Sequence, residues 1–128
     1  MAQLICEKFL QENGIKYEKT PEGLLIFSYQ GGNFIITNDE KDELFLQILM
    51  PGIYNENSPA NKSKILSVLN DLNREMKIAK ARYEPDNTVW LAIEMFIDRT
   101  PDLKDFFFRV MDILHETRMR FVNKMSNI

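Results

Sequence analysis

The chain has 128 residues, of which 45% are hydrophobic and 27% charged, the make-up of one ordinary globular domain, expected over residues 1–128. Lys+Arg 16 against Asp+Glu 19 leave a net charge of -3 and a pI of about 5.2, so no global basic field exists to draw the protein to nucleic acid. Its only cysteine, Cys6, rules out an internal disulfide, and its longest apolar run, Val89 to Ile93, falls far short of the roughly 20 residues of a membrane span.

The N-terminal MAQLICEKFLQENG meets Glu7 and Lys8 before a signal-peptide core can develop, so the expected compartment is a reducing cytoplasm. Apolar residues at 2, 5, 6 and 9 give a short amphipathic helix from Ala2 to Asn13. Gly14 supplies its left-handed stop, with Ile15 folding back toward Leu10. Three strands follow, Gly23 to Tyr29, Asn33 to Thr37 and Leu44 to Leu49, the first two turned at Gly31-Gly32. A polar run, Asn38 to Glu43, links the second and third, and Met50 to Asn57 reads as a loop.

Ser58-Pro59 and Thr100-Pro101 each place a hydroxyl cap before a proline at a first helical position. The first opens a helix ending near Asn73, with Ile65, Leu66, Leu69, Leu72 and Met76 on one stripe. Between the two helices lies a hairpin, Met76 to Glu84 and Thr88 to Phe96, turned by Pro85-Asp86-Asn87. A three-residue loop there fixes the register: Ala79 faces Ile93, Ala81 faces Leu91, Arg82 faces Trp90 and Tyr83 faces Val89. The order is therefore α-β-β-β-α-β-β-α, a single α+β domain with one antiparallel sheet and helices mainly on one face.

The stretch Val68-Leu-Asn-Asp-Leu-Asn-Arg-Glu-Met-Lys-Ile-Ala-Lys80, running into Arg82-Tyr-Glu-Pro-Asp-Asn-Thr-Val-Trp-Leu91, with its Asn70-x-x-Asn73 pair, resembles the YbjN-like family of small bacterial proteins. The specific part covers about residues 66 to 95. The element order also looks like the type III secretion chaperone fold, to which that family is related. The resemblance implies a regulator or chaperone-like binder with no established catalytic residues. Among secretion chaperones acidic dimers bind extended client segments, which by analogy points to a homodimer and a protein client. Read physically, Asn70 and Asn73 suit the end of a helix, where an amide can satisfy terminal carbonyls.

His115-Glu116-Thr-Arg-Met119 begins like a zinc-protease signature, but methionine stands where the second ligand must be, and there is no other histidine. No metal and no cofactor is therefore expected. Cys6 on an apolar helix face reads as a buried thiol rather than as the nucleophile of a Cys6–His115 pair. The acidic run Asp39 to Glu43 lacks the spacing of a calcium loop, and Gly31-Gly32 is not followed by a helix, so it is no phosphate cradle. No motif supports catalysis, and no catalytic residue is assigned.

On the last helix Leu103, Phe106, Phe107, Val110, Leu114, Thr117, Phe121 and Met125 share a core stripe. Asp105, Arg109, Asp112, Glu116, Arg120 and Asn123 share a solvent stripe, with i,i+4 ion pairs expected at 105/109 and 116/120. Phe108, Met111, His115, Met119 and Val122 are left over as a second apolar seam. Either the first helix or the Met50 to Asn57 loop covers it, or it docks a second copy or a partner segment.

Two functional classes follow. The first is a non-enzymatic protein-interaction module using that seam. The alternative is a small-ligand module on the opposite sheet face, where Trp90, Arg82, Lys80 and Glu94 bring an indole beside cations and a carboxylate. The bland reading of those four is an exposed strand face with Arg82 stacked on Trp90.

Overall fold

A computed structural model of the chain describes residues 1–55 and 61–126. Helix α1 (Ala2–Glu12) ends as its sequence predicts: Gly14 sits at φ +66, its N–H donates to Gln11 O at 3.2 Å, and Ile15 N–H donates to Leu10 O at 2.9 Å. Those two bonds define a Schellman end. A short strand absent from the sequence reading follows, β1 (Tyr17–Lys19). It is too brief and polar to show a period, and it exists because the next strand offers it a partner.

Strands β2 (Leu25–Tyr29) and β3 (Gly32–Ile36) form a hairpin closed by Gln30 (φ +49) and Gly31 (φ +80). Two positive φ values in a two-residue turn match the right-handed twist of the strands. Gly32 therefore belongs to β3 rather than to the turn.

Strand β4 (Phe45–Asn55) corrects the loop expected from Met50 onward. Met50 pairs with Leu91 and Tyr54 with Val89, so three residues of β4 oppose one of its partner. This bulge accommodates Pro51, which has no N–H for a ladder, and places Gly52 at φ +56. The proposed Ser58-Pro59 cap lies outside the described residues. Helix α2 (Lys62–Glu75) runs two residues past Asn73 and buries Ile65, Val68, Leu69 and Leu72, whereas Leu66, expected on the same stripe, is 48% exposed. Strands β5 (Ala79–Tyr83) and β6 (Thr88–Phe96) pair in the derived register, Arg82 opposite Trp90, with Asn87 at φ +67 in the turn.

The six strands form one antiparallel sheet in the order β1-β2-β3-β4-β6-β5. One face carries Leu25, Phe27, Phe34, Ile36, Leu46, Ile48, Leu91 and Ile93, and these join buried residues of all three helices in one core. The fold is α+β, with the helices on that face. At the β5 edge the Asn73 carboxamide takes the place of a neighbouring strand: Ala81 N–H donates to its Oδ1 at 2.8 Å, and its Nδ2 donates to Ala81 O at 3.2 Å. Asn73 thus serves the strand edge, not the helix end.

The long final helix does not start at Pro101. Asp98 takes the Thr100 N–H at 2.9 Å, a single 3-10 turn covers Leu103–Asp105, and Phe106 at φ -137 breaks the path before α3 (Phe107–Ser126). Asp105 then falls outside the α-helix, which removes the i,i+4 geometry expected with Arg109. Glu116–Arg120 forms as expected, at 2.9 Å.

Candidate interaction surface

The second seam of α3 divides along its length. Met111 is fully buried in the core. Phe108 packs on Phe9 (ring centroids 5.5 Å) and Tyr29 (5.4 Å), so α1 and the β2–β3 hairpin cover it. His115 sets its ring edge-on to Phe34 at 5.5 Å, and its Nε2 lies 3.1 Å from Tyr29 O. Because a carbonyl can only accept, Nε2 carries the proton. Above this imidazole β3 has glycine for a steric reason: a Cβ at Gly32 would lie 2.7 Å from His115 Cε1.

One and two turns further on, Met119 is 60% and Val122 47% exposed. Val122, but not Met119, lines a cavity of about 310 Å³ together with Tyr54, Lys64, Phe121 and Met125 among others. Tyr54 reaches its wall because the β4 bulge restores the inward face there, where its ring meets Phe121 edge-on at 5.4 Å. Lys64 Nζ donates to Met125 O at 2.9 Å and closes the helix end. Ion pairs tie this half of α3 to α2: Glu75 accepts from Lys124 at 2.9 Å and meets Arg120 at 3.4 Å. The Lys124 hydrogen bond is the main reason the Glu75 carboxyl titrates below its ordinary range.

Lys80, Arg82, Trp90 and Glu94 do come together on the opposite sheet face, and their charges are engaged among neighbours. Lys80 pairs with Glu94, Arg82 Nε with Glu84 Oε1 at 2.9 Å, and the Trp90 indole N–H donates to Thr88 Oγ1 at 3.0 Å. Gln47 Nε2 adds a bond to Glu94 Oε2 at 3.2 Å, and Thr37 Oγ1 donates to Gln47 Oε1 at 2.9 Å. A polar chain therefore runs from Thr37, just past the end of β3, across β4 and β6 to Lys80 on β5. Trp90 is half-buried, and among the described residues the helices lie on the other face of the sheet.

The same face holds residues that the sequence reading passed over. Leu49 and Ala92 are buried yet stand apart from the main core, and Phe96, edge-on to Phe45 at 6.0 Å, is 73% exposed. The available signal was that β2, β3, β4 and β6 are apolar at both parities, which a sheet bare on one side does not require.

Cys6 is wholly buried, and burial pushes its thiol up to about 12, so it is no nucleophile near neutrality. Among the described residues no three His, Cys, Asp or Glu side chains gather where they could hold a metal ion. Nor, among those residues, is any helix long and apolar enough to cross a membrane.

A six-stranded antiparallel sheet with helices on one face is an architecture shared with two solved structures. One is "YbjN, a putative transcription regulator from E. coli", at 12% identity and a TM-score of 0.66 over 98% of this chain and 93% of that one. The other is an uncharacterized protein from Methanothermobacter thermautotrophicus, at 14% identity and a TM-score of 0.62 over 98% and 97%. At such identities the likeness is one of fold. The sequence profile of the YbjN family, described as "Putative bacterial sensory transduction regulator", matches residues 5–105, and the chain belongs to that family. No curated protein matches the sequence.

Proposed function

We propose that this member of the YbjN family is a non-enzymatic regulatory binding protein that captures a segment of a partner protein at the C-terminal half of α3. The observation that carries this reading is the exposed pair Met119 and Val122, the second of which lines the cavity together with Phe121. An apolar ridge next to a hollow of side-chain size suits an anchor residue of a partner helix or extended segment, and methionine adapts to varied partners. The N-terminal half of the seam takes no part, since Phe108, Met111 and His115 are occupied by the fold. The site has moved to one end of the seam.

The test is affinity capture from native lysate with the wild-type chain and with Met119→Glu/Val122→Glu, each checked for its fold by circular dichroism. Partners recovered by the wild type and lost by the folded double variant support the reading. Equal recovery by both, or no specific partner with the wild type, overturns it.

A further inference from the structure

Four cationic side chains of the described residues are half-buried: Lys64, Arg82, Arg118 and Lys124. Three of them meet an acceptor. Lys64 donates to Met125 O at 2.9 Å, Arg82 Nε meets Glu84 at 2.9 Å, and Lys124 meets Glu75 at 2.9 Å. Among the described residues Arg118 has no hydrogen bond, ion pair or ring contact. Its own helix cannot supply an acceptor side chain of opposite charge. The neighbours of Arg118 at three and four residues are Leu114, His115, Phe121 and Val122, none of them acidic. The nearby carboxylates are taken: Glu116 pairs with Arg120 at 2.9 Å, and Glu75 is shared by Arg120 and Lys124. A guanidinium offers its donors in a planar fork, and drawing it partly out of water without an acceptor costs hydration that nothing in the fold returns.

Arg118 stands one turn before Val122 on the same side of α3, and Val122 is where the exposed ridge meets the cavity. The local charge is of the same sign. Positions 116–126 carry Arg118, Arg120 and Lys124 against Glu116 alone, in a chain whose net charge is -3. We propose, resting on the docking of a partner segment at Met119 and Val122, that this segment is acidic: it sets an apolar anchor against Val122 and an Asp or Glu carboxylate on Arg118. Side chains one turn apart on a helix lie roughly 5 to 6 Å from each other, so the carboxylate sits about that far from the anchor. The planar fork of arginine matches a carboxylate in a two-pronged bond, and the surrounding apolar residues exclude the water that would weaken it. The pairing also fixes the direction in which the segment lies along α3, which an apolar ridge alone does not do.

The test selects phage-displayed peptides of random sequence on the full wild-type chain, with counter-selection on folded Met119→Gln/Val122→Gln, which removes the ridge without adding charge. Selected peptides are then titrated by fluorescence anisotropy against the wild type, Arg118→Met, which keeps an unbranched stem and discards the donors, and Arg118→Lys. Enrichment of Asp or Glu beside an apolar anchor is expected, with about a tenfold loss of affinity on Arg118→Met and a smaller loss on Arg118→Lys. Exchanging the peptide's carboxylate for its amide should weaken binding to the wild type by the same factor and leave binding to Arg118→Met unchanged. Peptides that need the ridge yet bind Arg118→Met as tightly as the wild type would leave the docking reading intact and overturn the acidic partner. A selection that yields no ridge-dependent peptide would overturn both. A reversible dimer in sedimentation that Arg118→Met dissociates would make the occupant a second copy of the chain and overturn the partner segment.

Discussion

The two halves of the seam on α3 share one angular sector of the helix and have opposite fates. Phe108, Met111 and His115 are taken up by α1, by the core and by the β2–β3 hairpin, while Met119 and Val122 stand in the open. A helical projection places all five within one sector, because angle about the axis is all that sequence spacing reports. How far the rest of the molecule reaches along that axis is a tertiary fact. The comparison shows that an apolar stripe on a helix is core only over the length that its neighbours span.

Charge insertion is the sharpest way to break the comparison. Met111→Glu buries a carboxylate among apolar groups with no cation to receive it, which should cost several kcal/mol and leave the chain largely unfolded in a urea titration. Met119→Glu, two turns on, should shift the same titration by no more than about 0.5 kcal/mol. Similar losses at both sites would mean that the two halves are equally buried.

A smaller effect is expected where the covered half meets β3. Gly32→Ala drives a methyl into the His115 ring and into Phe34, whose nearest atoms would lie 2.7 and 3.1 Å from it. Overpacking of this kind should cost about 1 to 3 kcal/mol by thermal or chemical denaturation. Combining it with His115→Ala should recover part of the loss, and strict additivity of the two changes would show that the imidazole does not fill that space.

The open half depends on surface ion pairs, so its response should be slight. Glu75 titrates below its ordinary value, chiefly through the Lys124 hydrogen bond, so its contribution is present above the unfolded-state value and is lost as pH falls through the lower folded one. Glu75→Gln should therefore flatten the acid limb of the stability curve only slightly, because the group is exposed and screened by salt. A variant whose acid limb is unchanged would assign no role to this pair.

Much of the fold was legible because particular residues dictate local geometry. Gly14 with Ile15 fixed the end of α1, and Pro85-Asp86-Asn87 fixed the register of β5 on β6 through the loop length. What escaped was decided by partners distant in sequence. Strand β1 exists because β2 accepts it, and β4 continues through Pro51-Gly52 because β6 runs on beside it and a bulge absorbs the misfit. The position of Asn73 near a helix end suggests service to its own helix, but its amide faces a strand eight residues on. Of the candidate site, the seam's sector was legible and its division was not. The four residues around Trp90 were correctly placed together, while the ion pairs that engage them needed the side chains in space.

The close approach of His115 to Gly32 also acts as a detent for the whole helix. An α-helix packed on a sheet can in principle slide along its axis, exchanging one set of contacts for another about 5.4 Å away. Here the imidazole occupies the one position on β3 that lacks a side chain, and its Nε2 is held by Tyr29 O. A slide of one turn in either direction would bring Met111 or Met119, neither able to donate to that carbonyl, against the notch. The helix is indexed at a single setting, and that setting fixes which turns of α3 project beyond the molecule.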